Sequence, residues 1–233
     1  MRVIVWGASG QMGRLACQAV IERGHELVGR VTQTVCELAP ADVIIDFSTP
    51  DCIAPLLDYA LAKHLPVVIA TTGHSREQQA SIDKASGEIP ILQAANFSLG
   101  MNLLLVLVEQ AARIMRDSDI EIIETHHRRK RDAPSGSAKE LVAAVERALG
   151  AMQPTYGRSG VAPRRPQEIG VHAIRGGDIV GKHEISFITD KETLTLSHAA
   201  HDRSVYAVGA VKAAEYLYRQ PPGYYTVRSL LGI

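Results

Sequence analysis

The chain has 233 residues, enough for one large domain or two small ones. Lys plus Arg and Asp plus Glu each number 25, so the formal net charge is zero. That balance argues against a general nucleic-acid-binding protein, which is usually basic, and an aromatic content of 5% argues against base-stacking surfaces. A hydrophobic content of 46% is typical of an ordinary globular protein.

Cysteine content and the N-terminus indicate the compartment. Cys17, Cys36 and Cys52 are odd in number and lack metal-ligand spacing, so we predict neither a disulfide framework nor a metal site. The first residues enter a strand pattern without a signal peptide, and the longest apolar stretch, residues 101–108, is too short to cross a bilayer. We expect a cytoplasmic protein with no membrane partner.

The first part of the chain alternates short apolar runs with helical patterns. The predicted strands are residues 3–6, 27–31, 43–47, 67–70 and 89–93. The predicted helices are residues 14–23, 50–64 and 75–85. This alternation predicts an α/β fold, a Rossmann-type doubly wound parallel sheet.

The pattern changes after Ser98. Predicted helices cover residues 101–115, 137–149 and 205–218, and predicted strands cover 119–125, 171–174, 184–188 and 193–196. Residues 152–167, rich in Pro, Gly and Arg, are predicted to form an ordered loop or flap. We therefore expect a dinucleotide-binding domain of residues 1–97 plus 204–233, with an inserted α+β mixed-sheet domain, residues 98–203, for substrate binding and oligomerisation.

A glycine motif follows the first strand. Gly7, Gly10 and Gly13 are spaced G-x-x-G-x-x-G, which suits a tight turn and close approach of the backbone to a pyrophosphate. The motif predicts cofactor binding by Gly7, Ala8, Ser9, Gly10, Gln11, Met12 and Gly13. The alternative is a purely structural turn.

The end of the second strand does not choose between NADH and NADPH. An acidic residue there would hold the ribose hydroxyls, and an arginine would hold a 2′-phosphate. The chain has Thr32 at this place, no acid before Glu37, and Arg30 as the nearest cation.

The stretch EIIETHHRRKRDAPSGSA places a titratable and cationic run, residues 126–131, before a probable helix start. Pro134 precedes Ser135-Gly136-Ser137, a Gly/Ser turn with a capping hydroxyl. Cations followed by helix-terminal N–H groups suit a small dicarboxylate ligand. The alternatives are a solvated basic loop or a nucleic-acid patch.

With these residues in view, the chain resembles the 4-hydroxy-tetrahydrodipicolinate reductase (dihydrodipicolinate reductase) family. The resemblance covers nearly the whole chain, through the blocks GASGQMG, DFSTP, TTG, AANFSLGMN, EIIETHHRRKRDAPSGSA, IRGGDIVGKH and VGAVKAAEYL. It implies hydride transfer from NADH or NADPH to C4 of a cyclic dicarboxylic imine, after loss of water from the 4-hydroxy substrate. The pathway it implies leads to diaminopimelate and lysine, and the assembly it implies is a homotetramer.

The resemblance also implies roles for individual residues. His126 is the implied general acid or base, Lys130 the proton donor, and His127 a substrate contact. Gly136 and Ser137 are implied to bind a carboxylate; most members have threonine where this chain has Ser137. The chemistry agrees, because hydride addition to a conjugated imine leaves an enamine that must be protonated.

On the cofactor side, six residues match segments that line the nicotinamide and its ribose: Thr71, Thr72, Gly73, Ala95, Asn96 and Phe97. Strand-end turns without a ligand are the alternative for them. Gln11 replaces a usual basic residue and Thr32 a usual acidic one. No role is assigned to Arg203 or to residues 158–166. The competing functions are a non-catalytic dinucleotide sensor and a reductase of a different cyclic imine.

Overall fold

The computed structural model describes residues 1–34 and 36–232, with the side chains of Cys36 and Glu37 outside the description. It divides into two compact units, residues 1–99 with 203–233 and residues 100–202. The strands are β1 (Arg2–Trp6), β2 (Glu26–Val31), β3 (Cys36–Leu38), β4 (Val43–Asp46), β5 (Val67–Ile69), β6 (Pro90–Gln93), β7 (Asp119–His126), β8 (Gln153–Tyr156), β9 (Glu168–Arg175), β10 (Gly181–Ile188), β11 (Thr193–Ala200) and β12 (Gly223–Tyr225). The helices are α1 (Gln11–Glu22), α2 (Ile53–Lys63), α3 (Arg76–Ala85), α4 (Leu99–Ile114), α5 (Gly136–Leu149), α6 (Ser204–Leu217) and α7 (Val227–Leu231), and a 3-10 turn, Pro50–Cys52, precedes α2.

The first unit is built on a seven-stranded sheet in the order β12-β6-β5-β4-β1-β2-β3. Its strands are parallel except β3, which runs antiparallel to β2. The strands β1, β4 and β5 are buried almost throughout, as expected for a sheet covered on both faces. This confirms the predicted Rossmann-type sheet.

Two hydrophobic cores lie on the two faces of this sheet. One joins Val3 and Val5 of β1 to α1 and α6, and the other joins Ile4 and Ile44 to α2 and α3. From β1 the chain proceeds to β2 on one side and later to β4 on the other, so the strand order reverses at β1. Ligands of such sheets bind outside the carboxyl ends of the strands at this reversal.

The second unit is built on a mixed five-stranded sheet in the order β11-β10-β7-β9-β8. The central strand β7 pairs parallel with β9 and antiparallel with β10. Its alternate residues Ile120 and Ile122 pack against α4 and α5, forming the core of the unit. The opposite sheet face exposes apolar side chains, among them Ile123, Ile174 and Ile188.

Several elements differ from the sequence-based expectation. The helix α1 begins at Gln11, inside the glycine motif, and α5 begins at Gly136, with Ser135 as its capping residue. The strand β8 lies inside the predicted loop 152–167, while β3, β12 and α7 were not predicted. Each missed element has five residues or fewer, too short for a hydrophobic period to stand out. Among the described residues, no helix is long and apolar enough to span a membrane.

Candidate active site

The glycine motif forms the turn between β1 and α1. Gly7 has φ +80°, a left-handed conformation that favours glycine, and the N–H groups of Gly7 and Ala8 both donate to the carbonyl of Val31, at 2.9 and 3.0 Å. A Cβ on Gly7 would lie 2.5 Å from the carbonyl oxygen of Phe47, and one on Gly13 would lie 2.1 Å from that of Gly7. The first and third glycines are therefore required by backbone contacts within the protein itself.

The N-terminus of α1 has the features of an anion site. Its N-cap, Gly10, provides no side-chain cap, and the first turn carries no acidic residue. The N–H groups of a first helical turn have no partners within the helix, and the helix dipole favours negative charge there. Ser9, Gly10 and Gln11 are exposed, whereas Ala8 and Gly13 are buried and Met12 packs against the core. This arrangement fits the pyrophosphate of a dinucleotide.

A second group of predicted cofactor residues lies at the carboxyl ends of β5 and β6. Thr71, Thr72, Gly73 and Ala95 line one cavity of about 370 Å³. Beside it, the side chain of Asn96 accepts a hydrogen bond from the N–H of Ser98 at 2.8 Å, which shapes the loop. Phe97 is buried, with its ring packed in the core, so its side chain does not face a ligand.

The residues near the end of β2 leave the choice of cofactor open. The Thr32 hydroxyl accepts a hydrogen bond from the N–H of Thr34 at 3.2 Å, and Arg30 is exposed. Gln11 accepts a hydrogen bond from the guanidinium of Arg203 at 2.8 Å. Arg203 therefore brings a positive charge beside the position where the family resemblance leads us to expect a basic residue.

In the second unit, the end of β7 carries a buried carboxylate. Glu124 has no exposed side-chain area, and it continues the inward-facing row of Ile120 and Ile122. Its Oε1 accepts from the Ser135 N–H at 3.0 Å and from Arg175 at 2.7 Å, while its Oε2 accepts from Arg175 at 2.8 Å and lies 2.5 Å from Nδ1 of His126. A carboxylate at such a buried position requires partners of this kind.

Two histidines meet at this carboxylate. The rings of His126 and His183 contact edge to face, with centroids 5.1 Å apart, and Nε2 of His183 lies 3.1 Å from the Ser135 hydroxyl. We call Glu124, His126, Ser135, Arg175 and His183 the Glu124 cluster. It joins β7, β9, β10 and the start of α5 in one network.

Burial and charge set the protonation of the cluster. Burial lowers the pKa of His126, against the opposing effect of Glu124, and lowers the pKa of His183 to about 4. Burial alone would raise the pKa of Glu124, but hydrogen bonds from Arg175 and His126 outweigh it and the pKa is lowered. The cluster therefore holds an ionised carboxylate beside neutral imidazoles at neutral pH.

The basic run forms a loop between β7 and α5 that contacts the β9–β10 connection. The N–H of Gly176 donates to the carbonyl of His126 at 3.0 Å, and Arg129 pairs with Asp178 at 2.9 Å. The ammonium of Lys130 lies 2.8 Å from Asp132 and is only one-fifth exposed, unlike the neighbouring exposed arginines. Its nearest charge is thus a carboxylate within its own loop.

The helix α5 presents its N-terminus at the end of this loop. Ser135 caps the helix by accepting from the N–H of Ala138 at 3.2 Å. Among the described residues, no atom beyond the chain neighbours and the backbone of α5 itself lies within 4 Å of a Cβ built on Gly136, and Ser137 is half-buried. Because Glu124 binds both the His126 ring and the Ser135 N–H, the imidazole and the start of α5 are held together.

Sequence reasoning missed Glu124, Arg175 and His183. A signal for Glu124 was present: it stands in phase with Ile120, Ile122 and His126, the positions that face the core. Its burial could have been predicted from this period. Arg175 and His183 lie 51 and 59 positions further along the chain, and no local pattern connects them to Glu124.

Comparison with known proteins then decides the family. Profiles described as "Dihydrodipicolinate reductase, N-terminus" and "Dihydrodipicolinate reductase, C-terminus" match residues 1–97 and 100–231. The 4-hydroxy-tetrahydrodipicolinate reductase of Alkaliphilus metalliredigens (strain QYMF) is 48% identical, with 100% of both chains covered. The chain belongs to the dihydrodipicolinate reductase family. The 4-hydroxy-tetrahydrodipicolinate reductase of Staphylococcus aureus (strain MRSA252) is 37% identical, with 99% of this chain and 100% of the relative covered.

A solved structure supports the fold of this family. The dipicolinate-bound dihydrodipicolinate reductase of Paenisporosarcina sp. TG-14 has a TM-score of 0.81, with 21% identity and 97% of each chain covered. As a member of the dihydrodipicolinate reductase family the chain is an oxidoreductase that uses NADH or NADPH, and the turn between β1 and α1 fits the dinucleotide. The preference between the two cofactors stays open at Thr32 and Arg30.

Residues 158–166, which sequence analysis left without a role, lie at the far end of β7 from His126. Arg164 forms ion pairs with Asp119 and Glu121, and Arg158 forms one with Glu168. Five to seven strand residues separate Asp119 and Glu121 from His126, which corresponds to about 16–23 Å. The guanidinium groups of Arg158 and Arg164 are therefore held away from the Glu124 cluster.

The lowered pKa of His183 predicts acid sensitivity. In the unfolded chain a histidine binds a proton near pH 6.5, whereas His183 in the folded protein does so near 4. The unfolded state therefore binds more protons in this window, and the free energy of unfolding should fall as the pH drops from 6.5 to 4, by on the order of 3 kcal/mol at most. Urea unfolding of the wild type and of His183→Gln, measured across this range, checks it.

The variant should lose the part of this pH dependence that His183 contributes, while His201→Gln, at an exposed position, should keep it. The remainder comes from His126 and His198, whose pKa values burial also lowers. Carboxylates with lowered pKa values, such as Glu124, act mainly below the window. Equal slopes for the wild type and His183→Gln would contradict the prediction.

Proposed function

We propose that this enzyme reduces 4-hydroxy-tetrahydrodipicolinate to tetrahydrodipicolinate with NADH or NADPH, in diaminopimelate and lysine biosynthesis. The observation that carries the proposal is the double contact of Glu124. One carboxylate binds the His126 imidazole and the Ser135 N–H, which places an acid–base group beside the N-terminus of α5. A cyclic dicarboxylate that reacts at a ring carbon needs both features.

The substrate carboxylates are bound by charge and by N–H groups. We infer that one carboxylate takes the N–H groups at Gly136 and Ser137, where the helix dipole favours an anion and no Cβ obstructs its approach. His127, half-buried at the start of the basic loop, contributes a further contact. The exposed arginines Arg128, Arg129 and Arg131 attract the dianion to this loop.

Proton transfer is the task of His126 and Lys130. When bound, the reduced nicotinamide supplies the hydride that is delivered to C4 of the substrate ring. The neighbouring ring carbon must then receive a proton, and the ammonium of Lys130, held by Asp132 at 2.8 Å, is the proposed donor. His126 takes up and releases a proton at its imidazole, and Glu124 stabilises the charged form of the ring.

The test is absorbance at the nicotinamide band, with NADH and NADPH in parallel. The substrate is generated in the cuvette from pyruvate and aspartate semialdehyde by the enzyme that forms it. We expect oxidation that depends on substrate, and the ratio of the two rates measures the cofactor preference. A protein that binds NADH or NADPH yet oxidises neither would instead be a sensor or a reductase of a different imine.

The homotetramer implied by the family resemblance is also a proposal. It is supported by the open face of the second sheet, where Ile123, Ile174 and Ile188 are each more than one-third exposed. Exposed isoleucines on a sheet face favour burial against another protein surface.

A further inference from the structure

The carboxylate of Glu124 has no remaining acceptor position. Each of its oxygens is shared by two partners: Oε1 by Ser135 and Arg175, and Oε2 by Arg175 and His126. Arg175 is itself fixed by donating to the carbonyl of Asp132 at 2.8 Å. The carboxylate can therefore neither rotate nor exchange partners without breaking several charge-assisted hydrogen bonds.

This geometry determines which nitrogen of His126 carries a proton. An ionised carboxylate can only accept hydrogen bonds, so Nδ1 of His126, 2.5 Å from Oε2, must be the donor. The other edge of the ring lies against Gly181, where a Cβ would come within 3.0 Å of Nε2. Because residue 181 is a glycine, no side chain at this position covers the Nε2 edge of the His126 ring.

We propose that Glu124, locked in place by Arg175, is the positioning residue that holds His126 as the neutral Nδ1–H tautomer. Its Nε2 lone pair is then available in the resting protein to take the ring proton that is lost when water leaves the 4-hydroxy substrate. Glu124 stabilises the imidazolium until that proton passes to the departing hydroxyl. The inference rests on the function proposed above and adds that His126 begins the cycle as a base. Arg175 limits this stabilisation, because its charge compensates that of Glu124.

The charged and titratable groups that face the His126 ring come from four elements. They are Glu124 on β7, Lys130 in the following loop, Arg175 on β9 and His183 on β10. Of these, only Glu124 favours the protonated ring, while Lys130 and Arg175 oppose it. Removal of Glu124 and removal of Arg175 must therefore shift the titration of His126 in opposite directions.

The experiment is nitrogen NMR of the full-length protein labelled with 15N-histidine, in which the His126 signal is assigned by its loss in His126→Gln. In the wild type near neutral pH we expect a protonated Nδ1 and a bare Nε2. In Glu124→Gln the ring should populate the other tautomer, and its titration should move to lower pH by about one unit or more. In Arg175→Gln the titration should move to higher pH.

The matched control is Glu109→Gln. Glu109 is also a buried glutamate of the second unit held by two arginines, Arg113 and Arg147, but no histidine partner is among its described ion pairs. This variant should leave the His126 signals unchanged. A wild-type His126 protonated at Nε2, or shifts in the same direction in the Glu124 and Arg175 variants, would overturn the proposal.

Kinetics provide a second readout. In Glu124→Gln, kcat should fall about tenfold to a hundredfold with little change in KM, and the acid limb of the kcat profile should follow the NMR titration. An unchanged kcat together with an altered tautomer would show that His126 does not need this tautomer, and would overturn the positioning role. If Glu124→Gln does not fold, the tautomer of His126 in the wild type still decides the proposal. Arg175→Lys, which retains the positive charge, should then leave the titration of His126 close to that of the wild type. Because the tautomer is measured without substrate, failure of the proposed reaction is distinguishable from failure of this inference.

Discussion

Replacing Lys130 by alanine is expected to lower kcat by about a hundredfold to ten-thousandfold, the contribution typical of a positioned proton donor. The dissociation constant of NADH should stay unchanged, because Lys130 lies in the second unit and the glycine turn lies in the first. Stopped-flow turnover and NADH fluorescence titration measure the two quantities. If NADH affinity falls instead, the division of roles between the two units is wrong.

Two further variants separate charge from proton donation. Lys130→Arg keeps a cation opposite Asp132 but cannot release a proton, so we expect KM to recover while kcat stays low. Lys182→Ala removes a half-exposed lysine of β10 that pairs with Glu184, and turnover should be unaffected. Full activity of Lys130→Arg would exclude Lys130 as the donor.

The second large effect is expected at the glycine turn. In Gly13→Ala the new Cβ would lie 2.1 Å from the carbonyl oxygen of Gly7 and 2.9 Å from Cα of Ala8, so the backbone of the turn must move. We expect the free energy of unfolding to fall by about 3 kcal/mol, the melting temperature by on the order of 10 °C, and NADH binding to be lost. Thermal melts and fluorescence titration measure these effects.

Gly10→Ala is the matched control in the same motif. Gly10 has φ −68°, which alanine adopts without strain, and its Cβ would lie 3.4 Å from the carbonyl oxygen of Gly7. This variant should melt like the wild type, so any loss of NADH binding in it arises from the ligand-facing side of the turn. Wild-type melting and binding in Gly13→Ala would show that the turn tolerates a side chain.

The fold could be predicted where the hydrophobic periodicity and the turn-forming residues at the ends of the strands agree. Apolar runs that end at Gly7 and at Thr71 mark β1 and β5, and their alternation with helical patterns was sufficient for the parallel sheet. The strand β12, residues 223–225, has no such pattern, because it is held by pairing with β6 rather than by its own hydrophobicity. Its existence depends on a contact with residues more than 130 positions earlier.

The candidate site was predictable to a similar degree. The run from His126 to Lys130 and the glycine after Ser135 indicated a dicarboxylate site through local chemistry alone. Arg175 could not be assigned in this way, because its function depends on the register of β9 against β7, where His126 pairs with Arg175. Long-range register of this kind carries no local sequence signal.

The discontinuity of the first unit has a consequence for biosynthesis. Its core includes Ala207, Ala210 and Val211 of α6, packed with Val3 and Val5 of β1, and β12 completes its sheet beside β6. Residues 100–202 leave the ribosome as a complete unit. The first 99 residues still lack residues 203–233 at that point, so one apolar face of their sheet is uncovered. The unit synthesised second is therefore the first whose sequence is complete. The apolar sheet face that α6 covers stays exposed on the nascent chain until α6 emerges.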